Sequence, residues 1–212
     1  MASKTYTDDF IPRVRGLLLD NRQSSALENV NDDGTLSLND AIKNAVPEAI
    51  VACYRMAPLE MFSDSVGEVE LGVDANKDKE CVSLNSSYVR ILSVKADIWN
   101  RAVYDIEFGS PSERYDIAKD SLNGTIGTKD DPYVLLQGSR LFMIPFEATS
   151  KVVIKAVECP EGTDTNIDCD QNMYDAACYY CAYLVAMAIG QANAESYRRE
   201  ALVNMGIINN NQ

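Results

Sequence analysis

Apolar residues fall at helical spacing near both ends of the chain and in short alternating or unbroken runs through its middle, which predicts helix, then strand, then helix. Phe10 to Asp20 reads as a short amphipathic helix with Pro12 in its first turn, and Asp8 and Asp9 lie where the dipole of a helix start favours acid. After a polar stretch Asn39 is a good N-cap. Ile42, Ala45, Val46, Ala49, Ile50 and Cys53 then recur on one helical face up to Pro58. Pro47 lies inside this pattern and either kinks the helix or opens a second segment. From Val66 to Pro160 the period changes. Val82 to Lys95, Ala102 to Phe108, Tyr133 to Phe146 with a turn at Gln137-Gly138-Ser139, and Lys151 to Val157 read as strands between Gly, Asn, Asp and Pro punctuation.

The last third carries the strongest periodicity. Met173, Ala176, Ala177, Tyr180, Leu184, Met187 and Ala188 follow the i, i+3, i+4, i+7 rule, yet the opposite side is also nearly uncharged, and no charge occurs from Ala176 to Ala194. Alanine, tyrosine and cysteine dominate this run, and Gln191 and Asn193 lie in it, so no membrane partner is expected. The expectation is a helix packed on several sides, with alanines and Gly190 allowing close backbone approach. Neighbouring helices of the same chain do this in part, and a ring of identical subunits would do it more fully. The fold class expected is α+β: a helical core formed by N- and C-terminal halves, 8–60 and 172–205, with an inserted antiparallel β unit over 66–160. We read one domain over 1–212, with short arms at the first nine residues and at Asn209-Asn210-Asn211-Gln212 that order only on docking.

Composition narrows the chemistry. The 212 residues contain no histidine, so neither a Ser-His-Asp nor a Cys-His device exists in one copy, and no spacing resembles a nucleotide loop or a nucleophile elbow. The reading is therefore not an enzyme. With 32 acidic against 19 basic residues the formal charge is −13, which opposes adhesion to nucleic acid or an anionic surface. The first nine residues hold no apolar h-region, so synthesis and folding in the cytosol are expected.

In that compartment six cysteines read mostly as small buried hydrophobes. Cys178-Tyr179-Tyr180-Cys181, with Cys159 and Cys169 upstream, lacks the second compact pair that a zinc site needs, and it lies inside a helical pattern rather than at a helix start. Two stretches mimic calcium loops. Asn29 to Asp40 has glycine at the sixth position, but Asn29 and Asp40 weaken its two key ligand positions, and it reads better as an Asp-Gly turn followed by a helix cap. Asp164 to Asp175 has more carboxylates but Cys169 where the glycine belongs, and reads as an acidic entry into a helix. No cofactor and no metal are expected.

One longer pattern points to a family. Leu84-Asn85-Ser86-Ser87-Tyr88-Val89-Arg90-Ile91-Leu92-Ser93-Val94-Lys95, followed by Trp99-Asn100-Arg101-Ala102-Val103, resembles the head-to-tail connector (adaptor, ring or neck) proteins of tailed bacteriophages, especially those of crAss-like phages. The family pattern is a Leu-Pro-x-Asp-(Phe/Tyr)-Leu-Arg strand followed by Trp-x-Arg-x-Val. Here Asn85 stands in place of proline and Ser87 in place of aspartate. Also similar are the helix after Ser37-Leu38-Asn39-Asp40-Ala41-Ile42 with its end at Ala57-Pro58, the Asp131-Pro132-Tyr133-Val134 step before a hairpin, and the final Ala- and Tyr-rich helix.

The resemblance spans roughly 36–205 and implies a structural virion protein, made in the bacterial cytoplasm. It would form a dodecameric ring below the portal, extending the DNA channel and docking the tail. Its partners would be further copies of itself, the portal protein, other neck or tail proteins, and double-stranded DNA passing through the lumen without specific binding. A negative lumen lets DNA slide. The residues singled out for subunit or partner contact are Arg90, Arg101, Tyr180, Tyr183 and Met187. Trp99 and Tyr88 read as internal supports of the β unit, whereas the two arginines suit an internal role and a neighbouring subunit equally. Rival readings are a calcium-binding or regulatory module and a carboxylate-based hydrolase, the latter requiring two close acids, one with a raised pKa.

Overall fold

The computed structural model describes residues 2–20, 38–62, 66–71, 81–84, 88–120, 126–147 and 150–208. In chain order the elements are β1 (Ala2–Thr5), α1 (Ile11–Asp20), α2 (Leu38–Met56), β2 (Val66–Leu71), β3 (Cys81–Ser83), β4 (Tyr88–Ala96), β5 (Glu107–Phe108), α3 (Glu113–Lys119), β6 (Tyr133–Gln137), β7 (Arg140–Ile144), β8 (Val152–Glu158), β9 (Asn166–Cys169), α4 (Tyr174–Ala188) and α5 (Ala194–Asn204). The fold is α+β, with helices in the N- and C-terminal parts and sheet between them. The chain divides into two compact units: a helical unit made of Met1–Ser65 and Cys159–Gln212, and a β unit, Val66–Glu158.

In the helical unit the first residues are ordered in the protomer itself, not only on docking. Ala2–Thr5 pairs antiparallel with β9, from Ala2↔Cys169 to Thr5↔Asn166, and a π-helical turn, Tyr6–Phe10, leads into α1. Local chemistry explains the turn. The Thr5 hydroxyl accepts from the Asp8 N–H at 3.1 Å, and the Asp9 carboxylate accepts from the Thr5 N–H at 2.7 Å, so the opening donors are capped from both sides. Tyr6 and Phe10 point into the core, which holds the segment down. The second proposed arm, 209–212, lies outside the described residues.

Asn39 sits within the first turn of α2 rather than capping it, because the helix already starts at Leu38. The helix runs unbroken through Pro47. A mid-helix proline costs about 3 kcal/mol. Burial of Ile42, Val46, Ala49, Ile50 and Cys53 on the core side outweighs it, at about 1.5–3 kcal/mol for each large side chain.

The C-terminal helical pattern is two helices, not one. Ile189 ends α4 and Gly190 follows at φ +73°; the Gln191 N–H donates to the Ala186 carbonyl at 2.9 Å and the Gly190 N–H to Met187 at 3.2 Å. These are the two bonds of a Schellman ending. Gly190 therefore serves the turn and not close packing: nothing lies within 4 Å of where its Cβ would stand. Splitting the run leaves no helix among the described residues long and apolar enough to cross a membrane.

The β unit holds an antiparallel three-stranded sheet, β2-β8-β4, and a four-stranded sheet, β3-β7-β6-β5. Residues of both sheets meet in one core built from Ile91, Val94, Trp99, Val134, Leu141, Met143, Val152 and Ile154 among others. The second sheet is covered on both faces, and its sequence shows it. Along β6 and β7, Val134, Leu141 and Met143 face that core, while Tyr133, Leu135, Phe142 and Ile144 face a second cluster with Ala118 and Tyr115 of α3. Period-two alternation between two cores yields the unbroken apolar run. Gly138 at φ +61° and Ser139 form the two-residue hairpin, a place where positive φ at the first position is required.

Two strand expectations change. Val82 to Lys95 is split into β3 and β4, and Ala102 to Phe108 yields an isolated bridge at Val103 and the two-residue β5, which runs parallel to β6. Val103 and Ile106 are both core residues, and a separation of three does not fit a strand. The insertion is thus mixed rather than wholly antiparallel.

Gly127 is locked in this unit. Its φ is +79°, and an added Cβ would stand 2.3 Å from the Ala118 carbonyl oxygen. Gly127→Ala is expected to destabilise the β unit by about 1–3 kcal/mol from backbone strain, with the clash adding to it. A urea titration of the variant checks this; a loss under about 0.5 kcal/mol would show that the 126–131 loop moves away without cost.

Candidate functional site

The site is a surface, and α4 builds it. Its buried residues are Ala176, Ala177, Cys178, Cys181, Ala182, Val185 and Ala186, and it packs on α1, α2 and α5. Small side chains on that face let three helices approach one helix. The larger residues, Tyr179, Tyr180, Tyr183, Leu184 and Met187, fall on the opposite face; the first four are half-buried and Met187 is 54% exposed. The stripe expected from sequence is rotated as a result: Met173, Ala176 and Ala177 are buried, but Tyr180 and Leu184 are at the boundary and Met187 and Ala188 are outside. Two apolar faces on one helix both satisfy the helical period, so spacing alone cannot choose between them.

Three of the five residues singled out from sequence meet here. Tyr180 and Tyr183 make an edge-to-face pair with centroids 5.4 Å apart, and Met187 follows Tyr183 by one turn. The Arg198 guanidinium of α5 lies 6.0 Å from the Tyr183 ring and pairs with Glu195 at 3.4 Å, forming a charged rim. Burial raises the Tyr180 hydroxyl above its ordinary value, with the neighbouring Tyr183 next in effect, so that hydroxyl carries no charge at neutral pH. Sequence reasoning missed Tyr179, although its place on the wheel beside Tyr183 was available.

The other two are in the β unit. Arg90 is half-buried on β4. Arg101 pairs with Asp131, which joins the two motif segments Trp99-x-Arg101-x-Val103 and Asp131-Pro132-Tyr133. Around that tie the Asn100 N–H donates to the Lys129 carbonyl at 2.9 Å, and the Trp99 indole N–H donates to the Pro145 carbonyl at 2.8 Å. Trp99 is buried, and Tyr88 packs on the same core. Arg101 thus has an opposite charge thirty residues on within its own unit, while its side chain stays largely exposed.

The alternative chemistries find these placements. Of the calcium mimics, 29–37 lies outside the described residues. In the other, Asn166–Cys169 is strand and the Asp170 side chain caps the turn before α4 through the Asn172 N–H at 3.0 Å. Among the described residues no group of three or more Cys, Asp or Glu is placed to hold a metal ion. Cys178 and Cys181 face inward, and their thiols, like those of Cys53 and Cys169, are pushed upward first by burial, which keeps them protonated and unreactive. Glu107 is held below the ordinary carboxylate range by the hydroxyls of Ser112 and then Tyr133, the latter donating at 2.5 Å. That shift is opposite to the raised acid a carboxylate-based hydrolase needs.

Compared with known proteins, the chain matches no protein-family model and no curated protein.

Proposed function

We propose that this protein is a structural, non-enzymatic subunit of a ring in the head-to-tail connector of a tailed bacteriophage. It would assemble as a dodecamer below the portal, in the virion, extend the DNA channel and dock the tail. The observation that carries the reading is the outer face of α4. A helix apolar all round belongs in a place enclosed on every side. Here the protomer covers one side and leaves an uncharged face of three tyrosines, a leucine and a methionine. In a chain of charge −13, a face without acids is where two copies meet without repulsion. Tyrosine and methionine are enriched at such contacts, and a heterologous contact of the right rotation closes a ring. The helical unit also carries most of the net negative charge, −9 from 17 acidic and 8 basic residues, compared with −4 from 15 and 11 in the β unit, which suits a wall past which DNA slides.

Light scattering on the purified protein, with and without a portal ring, tests this. The expected result is a twelvefold mass, alone or on the portal, and its loss in Met187→Glu with the thermal midpoint of the protomer kept. A wild-type monomer that ignores the portal would sink the proposal.

A further inference from the structure

The N-terminal segment is held by side chains far from it in sequence. Tyr174 donates its hydroxyl proton to the Asp9 carbonyl at 2.8 Å and packs on Phe10 with centroids 5.2 Å apart. Arg13 pairs with Asp175 at 3.3 Å, the Tyr197 hydroxyl donates to the Leu17 carbonyl at 3.2 Å, and β1 is zipped to β9. So 2–18 lies in a seat made by β9, α2, α4 and α5, with Tyr6, Phe10, Val14 and Leu18 buried in it.

The connection from this segment to the rest of the chain is much longer than the distance it covers. Arg15 donates to the Asn39 side chain at 2.9 Å, so the end of α1 and the start of α2 are neighbours. With five further residues of α1 beyond Arg15, the gap is on the order of 20 Å or less. Residues 21–37 join them, 17 in number, and a chain of that length reaches up to about 56 Å. About six residues would suffice, and connections in compact units are usually that short.

We infer that in the ring Ala2–Asp20 of each copy occupies the seat of the next copy, so that the subunits are tied by exchanged arms. The occupant is the same segment in either arrangement, so every contact above is kept and the exchange costs little. Neighbours held at a fixed distance supply a high effective concentration of arms to seats, and the surplus length lets the arm span it. The inference rests on the ring reading and adds to the α4 face a strand and two buried aromatic side chains crossing each subunit boundary.

Ser3 and Asp168 are cross-strand partners with accessible side chains. The adjacent hydrogen bond from the Tyr6 N–H to the Thr165 carbonyl makes theirs a non-hydrogen-bonded pair, with Cα atoms about 4.5 Å apart, inside the range for a disulfide. The test is Ser3→Cys with Asp168→Cys, oxidised after assembly and run on a denaturing gel without reductant, beside light scattering of the same sample. Exchange predicts a covalent ladder extending to the ring size. A ring by light scattering that runs as oxidised monomer overturns the exchange and leaves the ring reading standing; a monomer by both overturns both. Arg13→Cys with Asp175→Cys, bridged by a short bis-maleimide, repeats the measurement at the other end of the arm should the first pair not oxidise, with the same three outcomes.

Discussion

Raising the pH from about 9 to 11 is expected to unfold the helical unit while the β unit stays folded. The cause is the cysteines packed between α2, β9 and α4. Cys169 and Cys178 are pushed up to about 12 from an ordinary value near 9, first by burial, then by the neighbouring Cys178 for the one and, against a lowering contact from Tyr174, by Asp175 for the other. Cys53 and Cys181 move in the same direction for the same first reason. A thiol favours the folded state when neutral. Below pH 9 both states hold the proton and the full contribution is present. Above it the unfolded chain releases protons that the folded unit keeps, and stability falls by about 1.4 kcal/mol per pH unit for each thiol until the folded pKa is passed. Over two pH units Cys169 and Cys178 alone remove on the order of 5 kcal/mol, as much as the whole stability of many domains. The β unit contains one cysteine, Cys81, and the chain's one tryptophan, Trp99. Helical ellipticity should therefore be lost before the Trp99 emission shifts. Simultaneous loss of both signals, or no change up to pH 11, would refute the assignment of the transition to buried thiols.

Trp99→Ala is expected to cost the β unit about 3–5 kcal/mol. A large buried aromatic side chain leaves a cavity that its neighbours fill only in part. Trp99 touches the core shared by both sheets and donates its indole N–H to the Pro145 carbonyl at 2.8 Å, so the substitution also strands a backbone acceptor, worth about 1 kcal/mol. Trp99→Phe retains most of the volume and should lose about 1–2 kcal/mol. Denaturant titration followed by tyrosine fluorescence separates the two. A Trp99→Ala loss under about 1 kcal/mol would mean that the residue is exposed in solution and free for a partner, contrary to its buried placement.

Part of the site is legible in the sequence. Tyr180, Tyr183 and Met187 stand out because the charge-free run marks off 176–194, and they fall together on one face of α4. Which face turns inward is not legible. Both stripes obey the same period, and the choice depends on whether small or large residues meet α1, α2 and α5, a matter of interhelical distance rather than of spacing. Arg101 illustrates a different limit. Its ion pair with Asp131, brought against it by a turn thirty residues later, is a contact that no local pattern displays.

The order of helix, strand and helix, the turn at Gly138, the buried places of Ile42, Val46, Ile50 and Cys53, and the absence of any histidine-based chemistry all follow from sequence without further help. They depend on period, side-chain type and local backbone preference, which act within a few residues. Tertiary packing was needed for the seating of Ala2–Thr5 on β9, the parallel placement of β5, the two cores of β6 and β7, and the face that α4 leaves open. Each of these joins residues that are distant in sequence, and burial energy is set by the area two surfaces remove from water together, a quantity no short window of sequence contains.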